Sequence, residues 1–91
     1  MIVYSWTIKT KTMIDTETYN KIRAKEYVRV FTCKTATWCY PECEYYSIII
    51  KDGYDANTIR DQLASEFTTI HFEVGQTVIN NTIYVSINFY A

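Results

Sequence analysis

The sequence predicts an α+β fold, a ferredoxin-like split βαβ sandwich of order β-α-β-β-α-β-β with two helices on one face of an antiparallel sheet. Three observations predict it. Apolar residues alternate with polar ones over Ile2–Lys9 and again over Tyr27–Lys34, the period of two that belongs to strands. Asp15 and Asp55 each precede a helical pattern, and each stands three residues before a threonine whose amide its carboxylate can cap. The last quarter reads as a hairpin turned at Asn80-Asn81, because asparagine tolerates the positive φ that a two-residue loop requires.

The stretch Glu44–Phe67 organises the rest. It contains a buried strand from Tyr45 to Ile50, a turn at Asp52-Gly53 and a helix opened by Asp55. Ala56, Ile59, Leu63 and Phe67 recur at three and four residues, so this helix presents one apolar stripe, while Asn57, Arg60, Asp61 and Ser65 face water. Tyr54 and Ile59 have the spacing of a hydrophobic staple around the cap. A first, shorter helix runs from Thr16 to about Lys25, with Ile14 and Tyr19 as its staple, Glu17 in its first turn, and Arg23 and Lys25 in its last.

Between the helices, Val28, Val30 and Thr32 share one side of a strand, and Tyr27, Arg29, Phe31 and Cys33 the other. Residues Thr35–Cys43, which hold Trp38, Tyr40 and the single proline, Pro41, form the loop to the next strand. In the hairpin the turn sets the register. Val78 meets Ile83, Val74 meets Ile87 and Phe72 meets Phe89 on one face, while His71, Glu73, Gly75 and Thr77 meet Tyr90, Asn88, Ser86 and Tyr84 on the other. An echo of Tyr4–Lys9 in Tyr46–Lys51, each followed by Asp-x-x-Thr, fits either two halves of the same design or the residue preferences that all strands and caps share. The helices are expected over the face bearing Ile48, Ile50, Val74, Val85 and Ile87, which leaves the opposite sheet face open.

Composition bounds the function. Ninety-one residues make one domain over 1–91, and 48% hydrophobic content with two glycines and one proline describes a compact chain. Nine basic residues against ten acidic ones give a net charge of −1, so no global field draws the chain to nucleic acid or to an anionic membrane. No apolar run approaches the roughly 20 residues of a bilayer span, and no basic and apolar leader opens the sequence. Three cysteines, an odd number, then favour the reducing cytoplasm.

Cys33, Cys39 and Cys43, spaced C-x5-C-x3-C, are the candidate metal ligands, with His71 as the fourth of a tetrahedral zinc set; a Cys33–Cys43 disulfide and free thiols are the alternatives. No cofactor is expected. His71 is the lone histidine, no nucleophile stands beside a base, and no glycine-rich loop cradles a phosphate, so the chain is not expected to be an enzyme.

The open sheet face is the candidate binding surface. Tyr27, Arg29, Phe31, Tyr84, Ser86, Asn88 and Tyr90 are expected to share it, extended by Trp38 and Tyr40 from the loop and by Glu42 and Glu44 beside it. Tyrosine, tryptophan and arginine supply most of the energy of protein contacts, which favours a protein partner. Stackable rings on such a sheet also suit single-stranded nucleic acid. The last strand, Thr82–Tyr90, carries no charge, so pairing of its edge with a second copy is a further expectation.

In size, and in having no catalytic motif, the chain resembles the small proteins with which phages and mobile elements block host defence enzymes, the anti-CRISPR proteins among them. The resemblance implies inhibition of a host nuclease complex by occupying its surface, with Glu42, Glu44 and Asp52 standing in for phosphates.

Overall fold

A computed structural model describes residues 14–39 and 42–91. The strand expected over Ile2–Lys9, together with Tyr40 and Pro41, lies outside the described residues. Helix α1 spans Thr16–Arg23, strands β1 and β2 span Val28–Ala36 and Cys43–Ile50, helix α2 spans Ala56–Glu66, and β3 and β4 span Glu73–Ile79 and Thr82–Tyr90. The described chain is thus an α+β unit of two helices and a four-stranded antiparallel sheet.

Both helices start where the sequence places them. Asp15 accepts the Thr18 amide at 2.7 Å, and Asp55 accepts the Thr58 amide at 3.1 Å and the Thr58 hydroxyl at 2.6 Å, so each cap satisfies an amide that the first helical turn leaves without a partner. These bonds to the charged form hold both carboxyls below their ordinary value of 3.8. Ile22 on α1 and Ala56, Ile59 and Leu63 on α2 are the buried faces, packed on Tyr46, Ile48, Ile50, Ile87 and Phe89 of the two inner strands. Each helix is too short to be stable alone, so this burial rather than propensity keeps it folded.

The hairpin register is the one its turn dictates. Asn80 and Asn81 have φ of 50° and 65°, and the ladder pairs Val78 with Ile83, Thr77 with Tyr84, Gly75 with Ser86, Val74 with Ile87 and Glu73 with Asn88. Phe72 precedes the ladder but still meets Phe89 at 5.1 Å between ring centroids.

The strand order differs from the expected one. The sheet runs β1-β2-β4-β3, and a ferredoxin-like order would place the 2–9 strand beside β2. Both sides of β2 are already occupied, by β1 and by β4. The side chains explain why β4 rather than β3 takes the inner position. Ser86, Ile87, Asn88 and Phe89 are all buried, small polar groups on one face and large apolar groups on the other, whereas β3 offers Glu73, Gly75 and Gln76. One consequence bears on the expected self-association: β4 pairs with β3 on one side and, over Ser86–Tyr90, with β2 on the other, so that half of the C-terminal strand has no free edge for a second copy.

A second correction concerns β1. A β-bulge between Val28 and Val30 breaks the alternation, so Val28 and Phe31 both turn to the helices while Val30, Thr32 and Lys34 turn to the open face. The bulge thus carries Phe31, expected on the open face, into the core; Tyr27, also expected there, lies in the turn before β1 and is a core residue as well. Phe31 stacks on Tyr19 at 4.8 Å and touches Tyr46 and Phe89, and Tyr27 is buried beside Tyr54. Val74 and Val85 do lie on the helix side with Ile87, but 39% and 50% of their surfaces remain exposed because the helices stop short of the hairpin's outer half.

Candidate functional site

The sheet face turned away from the helices is where chemistry-bearing side chains collect. Period two along β2 and β4 sends Tyr45, Ser47 and Ile49, and Tyr84, Ser86, Asn88 and Tyr90, to this side, and the bulge in β1 adds Arg29, Val30, Thr32 and Lys34. Thr32, Lys34, Tyr45, Ser47 and Tyr90 of this set line a trough of about 560 Å³ whose walls are residues 32–34 of β1 and 76–79 of β3, with Trp38 closing one end.

That end is an aromatic cluster. The Trp38 indole N–H donates to the Tyr90 hydroxyl at 3.0 Å, and the rings of Trp38, Tyr45 and Tyr90 lie 4.8 to 6.5 Å apart at inclined angles. The Lys34 ammonium sits 5.3 Å from the Trp38 ring and 5.8 Å from the Tyr45 ring, a cation held against two π-faces. Burial, followed by the neighbouring Tyr90 and Glu73, raises the Tyr45 phenol above its ordinary value, so it stays a neutral hydrogen-bonding group. Trp38 nonetheless leaves 59% of its surface in solvent and Tyr90 49%, so these rings are fixed in place and still available.

The floor of this face beside the trough is polar. The Ser86 hydroxyl donates to the Asn88 side-chain oxygen at 2.9 Å, which leaves the Thr77 hydroxyl to donate to Ser86 at 2.8 Å. Gly75 makes room for this chain: a Cβ there would stand 2.8 Å from the Asn88 amide nitrogen. At the far end the Arg29 guanidinium lies 5.9 Å from the Tyr84 ring and 3.9 Å from the Asp52 carboxylate.

Of the residues expected at the site, Arg29, Trp38, Tyr84, Asn88 and Tyr90 do share this face. Tyr27 and Phe31 do not, and Tyr40 lies outside the described residues. Glu44 falls on the helix side of β2, where its carboxylate accepts the Cys33 thiol at 3.3 Å, and Glu42 is exposed just before the strand. The acidic residues therefore form no common phosphate-like surface. Sequence reasoning overlooked Lys34, Tyr45 and Ser47, although the alternation around Ile48 already places Tyr45 and Ser47 opposite the core.

The three cysteines do not converge on one point. Cys33 points to the helix side and Cys43 to the open side, so neither a Cys33–Cys43 disulfide nor a shared metal fits, and His71 pairs instead with Glu73 at 3.1 Å. Among the described residues no group of three or more histidine, cysteine or carboxylate side chains is placed to hold a metal ion. Burial raises the Cys33 thiol, helped by Glu44, and burial raises the Cys43 thiol, helped by the Cys39 thiol beside it, which favours the unreactive protonated form at both. No helix among the described residues is long and apolar enough to cross a membrane.

Comparison with known proteins adds no relative: no protein-family model, no curated protein and no solved structure matches the chain.

Proposed function

We propose that the chain is a non-enzymatic binding module whose trough takes a protein partner, with Trp38, Tyr45 and Tyr90 as the anchoring rings. The observation that carries this reading is the exposed cluster itself. Its three rings are held by a hydrogen bond and by mutual contact, so a partner can bury them with little loss of side-chain freedom, the circumstance in which aromatic anchors contribute most. The Thr77–Ser86–Asn88 chain is a poor proton-transfer device but a good hydrogen-bonding floor. In the inhibitor class that the chain resembles, such a face would block a host nuclease by occupation, and the contact would be aromatic rather than a row of carboxylates.

A second reading is favoured by Lys34 and Arg29, which place one cation against an aromatic ring at each end of the face, the arrangement a single strand of nucleic acid would use. Matched capture experiments separate the two. A partner retained by the native chain at raised salt and lost with both Trp38→Ala and Tyr90→Ala supports protein binding through this face; equal retention by both variants refutes it. Oligonucleotide binding that weakens steeply with salt supports the second reading instead.

A further inference from the structure

We infer that β3 is a homodimer edge, pairing antiparallel with β3 of a second copy about a two-fold axis at Gln76. Three features of this strand lead there. First, among the described residues β3 is an edge strand, seven residues long and paired with β4 without a bulge. From Glu73 to Tyr90 the hairpin carries a single charge, Glu73, and no proline or lysine, so the devices that normally keep an edge from pairing are missing.

Second, the edge is self-complementary. The two-residue turn makes Ile79 and Thr82 a hydrogen-bonded pair, and alternation then makes Thr77–Tyr84 and Gly75–Ser86 bonded pairs as well. The amides and carbonyls of Val74, Gln76 and Val78 therefore point away from β4. Setting Gln76 against its own symmetry mate brings Val74 opposite the second copy's Val78, and the reverse, so every outward group is matched and about six hydrogen bonds form. Glu73 falls opposite Ile79 of the other copy, and no two like charges meet.

Third, the side chains beside this edge are apolar and uncovered. Val78 and Ile83 each leave 63% of their surface exposed, Val85 50% and Val74 39%, all on the helix side of the hairpin. Pairing in this register places Val74 of each copy against Val78 of the other, so the two aliphatic patches meet on either side of the Gln76 pair at the axis. The trough described above opens on the opposite face, its β3 wall running along the pairing edge, and the dimer has an eight-stranded sheet.

Sedimentation of the full chain over a wide concentration range should show a dimer, and hydrogen exchange should protect the Val74, Gln76 and Val78 amides in it. Gln76→Pro removes an outward N–H that β4 does not use, and Val78→Lys sets a charge against the second copy's Val74. Each should raise the dimer dissociation constant by about tenfold or more, with the circular dichroism spectrum unchanged, while Gln76→Thr keeps the dimer. If a variant fails to fold, exchange on the native chain still decides. A native chain that stays monomeric throughout overturns the proposal, whether its three amides exchange freely or are covered by another part of the same chain. So does a dimer in which those amides exchange freely.

Discussion

Gly75→Ala measures how tightly the polar floor of the open face is assembled. In an ordinary strand the substitution is favourable by roughly 0.5–1 kcal/mol, because alanine has less backbone freedom to lose. Here the new Cβ would stand 2.8 Å from the Asn88 amide nitrogen, so the Asn88 side chain must turn. Turning breaks its 2.9 Å bond from Ser86, and both groups are buried. Leaving a buried polar group without its partner costs about 1–3 kcal/mol, which outweighs the backbone gain and predicts a net loss of roughly 1 kcal/mol. With Asn88→Ala already in place nothing obstructs the methyl group, and the same substitution should be neutral or slightly stabilising. The double-mutant cycle, read from urea unfolding with unchanged slopes, should therefore show a coupling of about 1–3 kcal/mol. Additivity within about 0.5 kcal/mol would show that Asn88 does not rest on Gly75 and that the floor is not the connected chain described above.

Leu63→Ala removes a fully buried side chain from the interface of α2 with the sheet and should cost about 2–5 kcal/mol, a large part of the roughly 5–14 kcal/mol available to a domain of this size, visible as a lowered urea midpoint. Asp15 and Asp55 have folded pKa values below 3.8, so the stability they confer is present above that value and is lost as pH falls through the lower folded one; Asp55→Asn should flatten the fall of melting temperature below about pH 4. Burial pushes the Tyr27 and Tyr46 phenols up to about 12, above an ordinary value of 10. Their contribution is complete below pH 10 and lost as pH rises toward 12, so ultraviolet titration should find these two ionising late, together with alkaline unfolding, and Tyr46→Phe should shift that unfolding to higher pH.

The parts of the fold written in local chemistry were legible. Asp15 and Asp55 announce their helices through short-range capping, and Asn80-Asn81 sets the hairpin pairing because two positive φ angles allow only a tight turn. Strand order was not legible, since a hairpin can dock either strand against β2 and the choice rests on which one tolerates burial on both faces. The signal was present in Ser86 and Asn88, small polar groups able to satisfy one another beneath neighbouring side chains, set against Glu73 and Gln76. The site was half legible for a related reason. Trp38, Tyr84, Asn88 and Tyr90 were recognisable by type, but Lys34 and Tyr45 gain meaning only when β1 and β2 lie side by side.

The bulge at Arg29 explains the remaining error and shows how one inserted residue decides what the open face is. With unbroken alternation from Val28, which packs on the core, Val30, Thr32 and Lys34 would follow it to the helix side. Phe31 would turn instead to the open face and lose its stacking on Tyr19 and its contacts with Tyr46 and Phe89. Burying one large aromatic side chain contributes roughly 1.5–3 kcal/mol, enough to offset one irregular residue in a ladder. With the bulge, Phe31 enters the core and Lys34 meets the faces of Trp38 and Tyr45 at the end of the trough. Bulges in sequence carry a marker when glycine supplies them, and this one is supplied by an arginine whose long chain reaches Tyr84 and Asp52 in solvent. The residue that disguises the register in the sequence thus also contributes the cation at the far end of the open face, so the irregularity and the binding face share one origin.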